Sequence, residues 1–352
     1  MLKFVPKSQQ VWIFGNVYGY KDNACYVYEY LVENKDTTIR PIWINKSKKA
    51  TALGENYYCY SLKGLYYQSR AAVAVLTTGM NDGASFALSG ALKVQLWHGI
   101  PIKKLLLDSN EASPFPNRLT RLNKLFMFIL KMRLSKYSLV IAADKKNQLC
   151  LSQAFGLPID RVKVTGLPRH DVIWASSKSR CVGAQQRILY APTWHGNINE
   201  ARQWVYEVLT SGLLAYCHQN QVNIDVSIHP LNGSLRKEIS DLKGVSLLDC
   251  EDINKVLGDY DLLITDYSSI AFDFSVLNRP VVFSCAKIQG YATERGIYED
   301  YISMLDKQSV TGSQLILNID ALLNGKPFEQ LYSAVSVGSG RARTVEEIKR
   351  LL

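Results

Sequence analysis

The sequence predicts an α/β protein with two Rossmann-like domains that face a central cleft. Two series of apolar strands and helical segments are separated by the polar stretch 176–186, which has the composition of an inter-domain linker. In both series polar side chains directly follow apolar strands, and open α/β sheets bind ligands at that edge. We therefore place an N-terminal domain at residues 1–175, a C-terminal domain at 176–335, and a final helix at 336–352.

Length and composition limit the possible functions. The chain has 352 residues, 47% of them hydrophobic, which is enough for two cores, and its formal net charge of +10 favours an anionic partner. The sequence has no apolar run of the roughly 20 residues that span a bilayer, and its start has no signal-peptide pattern. Seven cysteines without a C-x-x-C pair indicate a reducing, cytoplasmic setting.

The first series opens with a strand, a glycine-bearing loop and a helix. The strand over 11–15 ends at Gly15, and the helix covers 26–33. The loop has the means to present backbone N–H groups to a phosphate, but it contains no G-x-G-x-x-G, and an ordinary tight turn fits it equally well. Further strands are predicted at 40–44, 57–60, 71–77, 138–142 and 161–165, with helices at 66–70 and 144–155.

A histidine stands at another strand end of this series. The strand over 94–97 stops at His98-Gly99, and Lys103 and Lys104 follow shortly. A side chain in this place lies at the carboxyl edge of a sheet. We therefore treat His98 as a candidate reactive group with positive charge nearby; a structural histidine is the alternative.

The stretch 117–137 predicts a basic amphipathic helix. Apolar side chains recur at helical spacing, positive side chains lie between them, and no acidic residue occurs. Such a helix suits the surface of an anionic membrane. The alternative is a packed helix with a solvated basic rim.

The second series begins after the linker. Its predicted strands lie at 187–190, 223–228, 245–248, 262–265 and 280–284. Its predicted helices lie at 201–220, 235–241, 253–258 and 270–277, and the chain ends in a helix over 344–352.

Polar side chains again follow these strands. Thr193 and His229 each come shortly after a strand, and Asp266, Ser268 and Ser269 follow a third. We expect Ser268 to cap the next helix, whose free N–H groups and positive dipole end favour an anion. Because His98 and these groups share a placement at strand carboxyl ends, we predict that they form one site.

Other chemistries fit less well. The sequence has no P-loop and no G-x-S-x-G elbow. The D-x-D of Asp259-Tyr-Asp261 lies at the start of a strand, where capping is a better interpretation than metal ligation. Basic residues are not interleaved with aromatic ones as in a nucleic-acid groove. We therefore expect no metal site and no nucleic-acid partner.

Several motifs, in their order along the chain, resemble those of the CDP-glycerol glycerophosphotransferases, which build teichoic acids and similar capsule polymers. They extend from residue 11 to residue 301. They are Phe14-Gly15 with Asp22-Asn23, Leu96-Trp-His-Gly-Ile-Pro-Ile-Lys-Lys104, Gly166-Leu-Pro-Arg169, Leu189-Tyr-Ala-Pro-Thr193, Ile228-His-Pro230, Thr265-Asp-Tyr-Ser-Ser269 with Phe272-Asp273, Arg279-Pro280 and Arg295-Gly-Ile-Tyr298.

The resemblance implies a GT-B-like fold and transfer of glycerol phosphate from CDP-glycerol to a hydroxyl of a membrane-linked acceptor, with release of CMP. It implies that the enzyme works at the cytoplasmic face of the membrane. From the sequence, which shows no evident metal site, we expect no cofactor. Two features depart from the family. Trp194-His195-Gly196 replaces a loop that often carries arginine, and the added N-terminal region of long polymerases is missing. Single addition and polymerisation both stay open.

The implied mechanism gives each candidate residue a role. His98 is the expected general base, since imidazole titrates near neutral pH, and His229 is expected to act at the leaving pyrophosphate. Serine hydroxyls and a helix N-terminus bind phosphate oxygens. The donor-binding candidates are Thr193, His229, Asp266, Ser268, Ser269 and Arg295; the acceptor-binding candidates are Gly15, Lys103 and Lys104.

Three alternatives remain at this point. One is a CDP-ribitol enzyme, which donor competition would separate. Another is a GT-B glycosyltransferase that uses a nucleotide sugar, which the released nucleotide would distinguish. The third is a membrane-surface protein that binds nucleotide or polymer without turnover, and the pair of His98 and His229 argues against it.

Overall fold

Two parallel sheets organise the chain, one in each of two units. The computed structural model describes residues 5–48, 52–109, 120–180, 183–193, 197–228, 232–285, 296–332 and 338–352. The first unit comprises Met1–Ile100, Leu105–Val172 and Ala334–Leu352, and the second comprises Pro101–Lys104 and Ile173–Ser333. The final helix thus belongs to the first unit, and a short segment after His98 belongs to the second.

The sheet of the first unit has seven parallel strands in the order β3-β2-β1-β4-β5-β6-β7. All six residues of β4 are buried, as expected for a parallel strand covered on both faces. The strand order reverses between β1 and β4, and the carboxyl edge at such a reversal is the usual ligand position. The strands are β1 Ser8–Gly15, β2 Arg40–Asn45, β3 Asn56–Tyr58, β4 Ala71–Leu76, β5 Leu92–Gln95, β6 Leu139–Ala142 and β7 Val162–Val164.

Helices connect these strands, as the alternating pattern predicts. Local signals set their ends: the Asp144 side chain accepts a hydrogen bond from the N–H of Asn147, and Gly156 closes the same helix in a left-handed conformation. The helices are α1 Asp22–Glu33, α2 Leu62–Arg70, α3 Thr120–Leu134, α4 Lys145–Phe155 and α5 Pro168–Ser176.

Helix α3 differs from the other helices of this unit, because it buries only Leu134. Its apolar side chains at i, i+3, i+4 and i+7 are exposed instead: Leu125 at 55%, Phe128 at 61%, Ile129 at 46% and Met132 at 53%. The predicted helix is confirmed over Thr120–Leu134 and ends three residues before its predicted end at 137; its first residues, 117–119, lie outside the described part of the chain. Part of the predicted apolar face therefore reaches solvent, whereas Leu134 is buried and Leu130 packs against the core, so membrane contact and packing both stay predictions.

The second unit has five parallel strands in the order β10-β9-β8-β11-β12. Buried apolar side chains from these strands and the surrounding helices form its core. The strands are β8 Arg187–Ala191, β9 Asn223–Val226, β10 Ser246–Leu247, β11 Leu262–Thr265 and β12 Val281–Phe283, and the helices are α6 Ile198–Val208, α7 Leu214–Gln219, α8 Gly233–Ser240, α9 Ile270–Ser275, α10 Glu299–Gln308 and α11 Gly312–Leu323.

The single helix predicted over 201–220 is wrong. Two helices, α6 and α7, are joined by the π turn Leu209–Leu213. Gly212 lies in that turn with φ +101°, a left-handed backbone that interrupts the helix and that glycine adopts at little cost.

Both ends of α5 are held by carboxylate or hydroxyl contacts. The buried carboxylate of Asp171 accepts hydrogen bonds from the N–H groups of Gly338, Gly340 and Arg341, at 3.0, 3.1 and 2.8 Å. These groups begin the final helix, α12 Gly340–Lys349. At the other end, Ser176 Oγ accepts from the N–H of Gly258 at 3.0 Å, so the predicted linker starts as packed structure.

Among the described residues, no helix combines the length and the apolar character that crossing a membrane requires.

Candidate active site

His98 follows β5 at the carboxyl edge of the first unit's sheet. Trp97, immediately before it, has φ +55°, a left-handed conformation that costs a bulky residue on the order of 1–3 kcal/mol. Gln95 helps to hold this conformation, because its Oε1 accepts a hydrogen bond from the Trp97 N–H at 3.0 Å. The Trp97 and His98 rings stack, with centroids 4.4 Å apart. The strand end therefore presents the imidazole in a defined place.

The start of α1 and the start of α5 meet at this histidine. Asn23 Nδ2 donates to the carbonyl oxygen of Trp97 at 2.8 Å, and Asn23 Oδ1 accepts from the Arg169 N–H at 2.9 Å. Arg169 Nη1 donates to the carbonyl oxygen of His98 at 2.7 Å, while Arg169 Nη2 lies 2.8 Å from Asp22 Oδ1. The sequence analysis noted both segments as motifs but gave their side chains no role.

Asp82, which follows β4, is a further site residue that the sequence analysis missed. Its buried carboxylate accepts from the N–H groups of Thr77, Thr78 and Val17 at 2.8, 2.7 and 2.9 Å, and also from the Thr78 hydroxyl. It thereby joins the loop after β1 to the loop after β4. In the sequence, the only feature that could have identified Asp82 is its position a few residues after a buried strand.

Gly15 lies at the end of β1 against this loop. A Cβ atom there would lie 2.7 Å from the carbonyl oxygen of Asp82, so close packing explains the glycine. Its role as an acceptor contact stays a prediction.

The surroundings of His98 lower its pKa below the ordinary value of 6.5. Desolvation by the surrounding protein is the largest cause, although the residue as a whole is exposed to solvent. Asp22 raises the pKa and Arg169 lowers it; a hydrogen bond to the Thr77 backbone and the charge of Asp82 also raise it. Because the net direction is downward, the imidazole is neutral at pH 7 and able to accept a proton.

In the second unit, Thr193 and Asp266 lie together after β8 and β11. The Thr193 N–H donates to Asp266 Oδ1 at 2.8 Å, and Asp266 is 3% exposed. Thr193 Oγ1 is buried and has no hydrogen-bond partner within the described parts of the chain. The structure therefore brings these two predicted residues together.

Ser268 and Ser269 follow on the same strand end, but the predicted cap is wrong. The N-cap of α9 is Ser269, whose side chain makes no capping hydrogen bond. Ser268 Oγ is 3.5 Å from the N–H of Ile270, at the limit of a hydrogen bond. Both side chains are partly exposed, so their hydroxyls are accessible to a ligand.

Lys103 and Lys104 lie in the second unit, whereas the sequence analysis placed them in the N-terminal domain. Lys103 forms an antiparallel bridge with Ile297, and the Lys104 N–H donates to the carbonyl oxygen of Gly296 at 2.9 Å. Two other predicted residues, His229 and Arg295, lie outside the described residues.

The D-x-D aspartates make structural contacts, as the sequence analysis expected. Asp261 Oδ2 accepts from the Arg187 N–H at 2.8 Å and pairs with Arg180, at the amino end of β8 and β11. Within the part of the chain that the structure describes, no group of three or more His, Cys, Asp or Glu side chains is arranged to hold a metal ion.

Comparison with known proteins identifies the family. The model of the CDP-glycerol:poly(glycerophosphate) glycerophosphotransferases matches residues 1–331. The chain belongs to this family. The predicted enzyme class is therefore confirmed: the protein is a CDP-glycerol glycerophosphotransferase of the kind that serves teichoic acid synthesis.

Curated relatives and solved structures agree with this assignment. The teichoic acid glycerol-phosphate transferase of Staphylococcus aureus (strain NCTC 8325 / PS 47) is 27% identical over 344 residues, which cover 92% of this chain and 85% of the relative. The teichoic acid poly(glycerol phosphate) polymerase of Bacillus spizizenii (strain ATCC 23059 / NRRL B-14472 / W23) is 28% identical over 326 residues, 86% of this chain and 80% of the relative.

A solved structure of the wall teichoic acid polymerase TagF matches with a TM-score of 0.70 and 21% identity, and the match covers 98% of this glycerophosphotransferase and 90% of that chain. Together with the two parallel sheets, this likeness confirms the predicted GT-B-like fold class.

Proposed function

We propose that this glycerophosphotransferase moves glycerol phosphate from CDP-glycerol to a hydroxyl of a membrane-linked acceptor. The acceptor oxygen attacks the β-phosphorus, the bond from that phosphorus to the CMP oxygen breaks, and His98 takes the acceptor's proton. The observation that carries the proposal is the His98 imidazole itself, held after β5 with a lowered pKa and therefore neutral at pH 7. Phosphoryl transfer depends mainly on such positioning and on stabilisation of charge.

The donor phosphates are assigned to the second unit. Ser268 and Ser269 offer hydroxyl donors after β11, and we assign them to phosphate oxygens together with His229 and Arg295. The buried, unpartnered Thr193 Oγ1 supports a ligand contact beside Asp266, since a buried hydroxyl is normally hydrogen-bonded.

The nucleoside or glycerol hydroxyls are assigned to a small pocket that includes Asp266. The Asp266 and Glu207 carboxylates accept hydrogen bonds from the hydroxyl groups of a sugar or polyol, whereas they would repel phosphate. Burial, and then the charges of Asp266 and Glu207, raise the pKa of Tyr190, so its hydroxyl stays a hydrogen-bond donor. The lining residues are Tyr190, Trp204, Glu207, Val208, Asp266, Ser284 and Thr311.

The acceptor is assigned to Gly15, Lys103 and Lys104, and the lipid to α3. The two lysines offer positive charge to an acceptor that already carries phosphate. The exposed apolar stripe of α3 is accompanied by exposed basic side chains, which suits the interface of an anionic bilayer. We therefore propose peripheral binding at the cytoplasmic membrane face. The basic side chains are Arg121, Lys124, Lys131, Arg133 and Lys136.

Nucleotide release tests the proposal directly. We would supply a lipid-linked glycerol phosphate acceptor and compare CDP-glycerol, CDP-ribitol and a UDP-sugar as donors. We expect CMP from CDP-glycerol only, lost in His98→Ala and retained in His218→Ala, which changes an exposed histidine of α7. The proposal includes no cofactor, and an EDTA arm tests that part. Release from CDP-ribitol alone would correct the donor, and full activity in His98→Ala would overturn the role of His98.

A further inference from the structure

Side chains from two other elements hold both peptide groups that flank His98. The carbonyl oxygen before it, on Trp97, accepts from Asn23 Nδ2 at 2.8 Å. The carbonyl oxygen after it, its own, accepts from Arg169 Nη1 at 2.7 Å. Since a residue's backbone dihedrals set the direction of its Cα–Cβ bond, these two hydrogen bonds fix where the imidazole points.

The same guanidinium is joined to a second strained residue. Asp22 has φ +71°, so it and Trp97 are both non-glycine residues in the left-handed region. The Asp22 carboxylate accepts from Arg169 Nε at 3.1 Å and from Nη2 at 2.8 Å. A non-glycine residue keeps a left-handed backbone only where surrounding contacts stabilise that conformation. Arg169 contacts both strained turns.

The ion pair between Arg169 and Asp22 is largely buried, and the helix that carries Arg169 is firmly anchored. The side chains of Arg169 and Asp22 are 10% and 15% exposed. Arg169 lies in the first turn of α5, where Asp171 is hydrogen-bonded to the start of α12. A partly desolvated arginine that is anchored in this way holds its geometry better than a flexible surface cation.

We propose that Arg169 and Asp22 form a positioning pair that orients His98 for proton transfer. The inference rests on the proposed function, because it assumes that His98 acts on the acceptor. Neither residue needs to touch substrate in this role.

The charges of the pair give it a distinctive signature. Asp22 raises the pKa of His98 and Arg169 lowers it, while Asp82 and the Thr77 backbone, on the loop after β4, also raise it. Removing the arginine charge leaves the Asp22 carboxylate unpaired, so the pKa of His98 should rise. Removing the Asp22 charge leaves the positive charge of Arg169, so the pKa of His98 should fall. Opposite shifts show that both charges act on His98, and the change in kcat then shows whether the pair also positions it.

The test compares Arg169→Gln, Arg169→Lys and Asp22→Asn in the full-length chain. We would measure kcat and KM for CDP-glycerol across pH, and titrate His98 by histidine NMR without substrate, with His98→Ala to assign its signal. We expect kcat to fall by about 10²-fold in Arg169→Gln, the scale of a small misplacement, with KM changed by less than about threefold. The histidine titration should move up in Arg169→Gln and down in Asp22→Asn.

The lysine variant separates charge from geometry. Lysine keeps the positive charge but lacks the fork that reaches Asp22 and the His98 carbonyl together. Compared with Arg169→Gln, we therefore expect Arg169→Lys to return the His98 titration towards its wild-type position, while kcat stays as low as in Arg169→Gln. Full recovery of kcat would contradict the positioning role and leave only an electrostatic one.

The control is Arg40→Gln, which removes an arginine pair with Glu55 at the amino end of β2. It should leave kcat and the His98 titration unchanged. Wild-type kcat and titration in a folded Arg169→Gln or Asp22→Asn protein would overturn the inference. If Arg169→Gln fails to fold by circular dichroism, the near-isosteric Asp22→Asn decides. Activity that survives His98→Ala would instead overturn the proposed function, so the two failures are distinguishable.

Discussion

A Cβ atom on Gly15 would lie 2.7 Å from the carbonyl oxygen of Asp82, so the end of β1 and the loop after β4 touch without room for a side chain. The Asp82 carboxylate then accepts the Val17 N–H at 2.9 Å, just beyond Gly15. One contact thus fixes the separation of the two loops, and the other fixes their register. Both loops border the switch point of the sheet, where Asp22 and Thr77 approach His98.

Gly15→Ala should therefore disturb the site and the stability of the first unit. Because the neighbouring atom is backbone, it cannot rotate away, and overpacking of this kind costs about 1–3 kcal/mol. Urea denaturation should show that loss together with reduced CMP release. The matched control is Gly233→Ala at the start of α8, where a Cβ would meet no atom within 4 Å. Equal stability of Gly15→Ala and wild type would contradict the close contact.

The pH dependence of transfer should follow the lowered pKa of His98. The neutral imidazole is the base, so the acidic limb of the kcat/KM profile should be centred below pH 6.5. Between pH 6.5 and the lower folded-state pKa, the unfolded chain binds a proton at His98 more readily than the folded chain does. The free energy of unfolding therefore decreases as pH falls through this range. A kcat/KM profile from pH 5 to 8 at constant ionic strength checks this.

The profile of His218→Ala should match that of the wild type, because His218 is exposed on α7. An acidic limb centred at or above pH 6.5 would be inconsistent with the surroundings described for His98.

Binding to anionic vesicles should depend on α3. Lys124→Gln should weaken binding by about 1 kcal/mol, roughly fivefold, and higher salt should weaken binding of the wild type. Phe128→Ser should weaken binding further without destabilising the fold, because this side chain is 61% exposed. Co-sedimentation with phosphatidylglycerol vesicles measures both effects.

Leu317→Ser on α11 is the control, since Leu317 is 62% exposed and lies on the other unit. If Phe128→Ser and Leu317→Ser lose the same affinity, the apolar stripe of α3 has no specific part in membrane binding.

Local patterns were enough to predict the fold and part of the site. The unbroken apolar run of β4 identifies a strand buried on both faces, and the turn after β5 places His98 at the sheet edge. Asp82 and Arg169 escaped the sequence analysis because their roles depend on distant partners. Arg169 is 147 residues from Asp22, and Asp82 is 65 residues from Val17. No periodicity over a single helix or strand reports such contacts.

The final helix is contacted by one buried carboxylate, Asp171, and one partly exposed carboxylate, Asp36. Asp171 is 3% exposed and accepts three N–H groups at the start of α12, whereas Asp36 pairs with Lys349 near its end, where the lysine side chain is 46% exposed. Hydrogen bonds to a buried charge are each worth about 1.5–3 kcal/mol, and an exposed ion pair is worth about 0–1 kcal/mol. Asp171→Ala should therefore cost at least about 3 kcal/mol.

Asp36→Asn should cost less than about 1 kcal/mol, although hydrogen bonds from Lys349 and Thr38 hold the Asp36 pKa at about 2. Urea denaturation gives both losses, and limited proteolysis reports whether α12 detaches first. We expect rapid cleavage near residue 340 in Asp171→Ala only. Equal losses in the two variants would mean that burial does not set the strength of these contacts, and that α12 is held mainly by its apolar packing on α1.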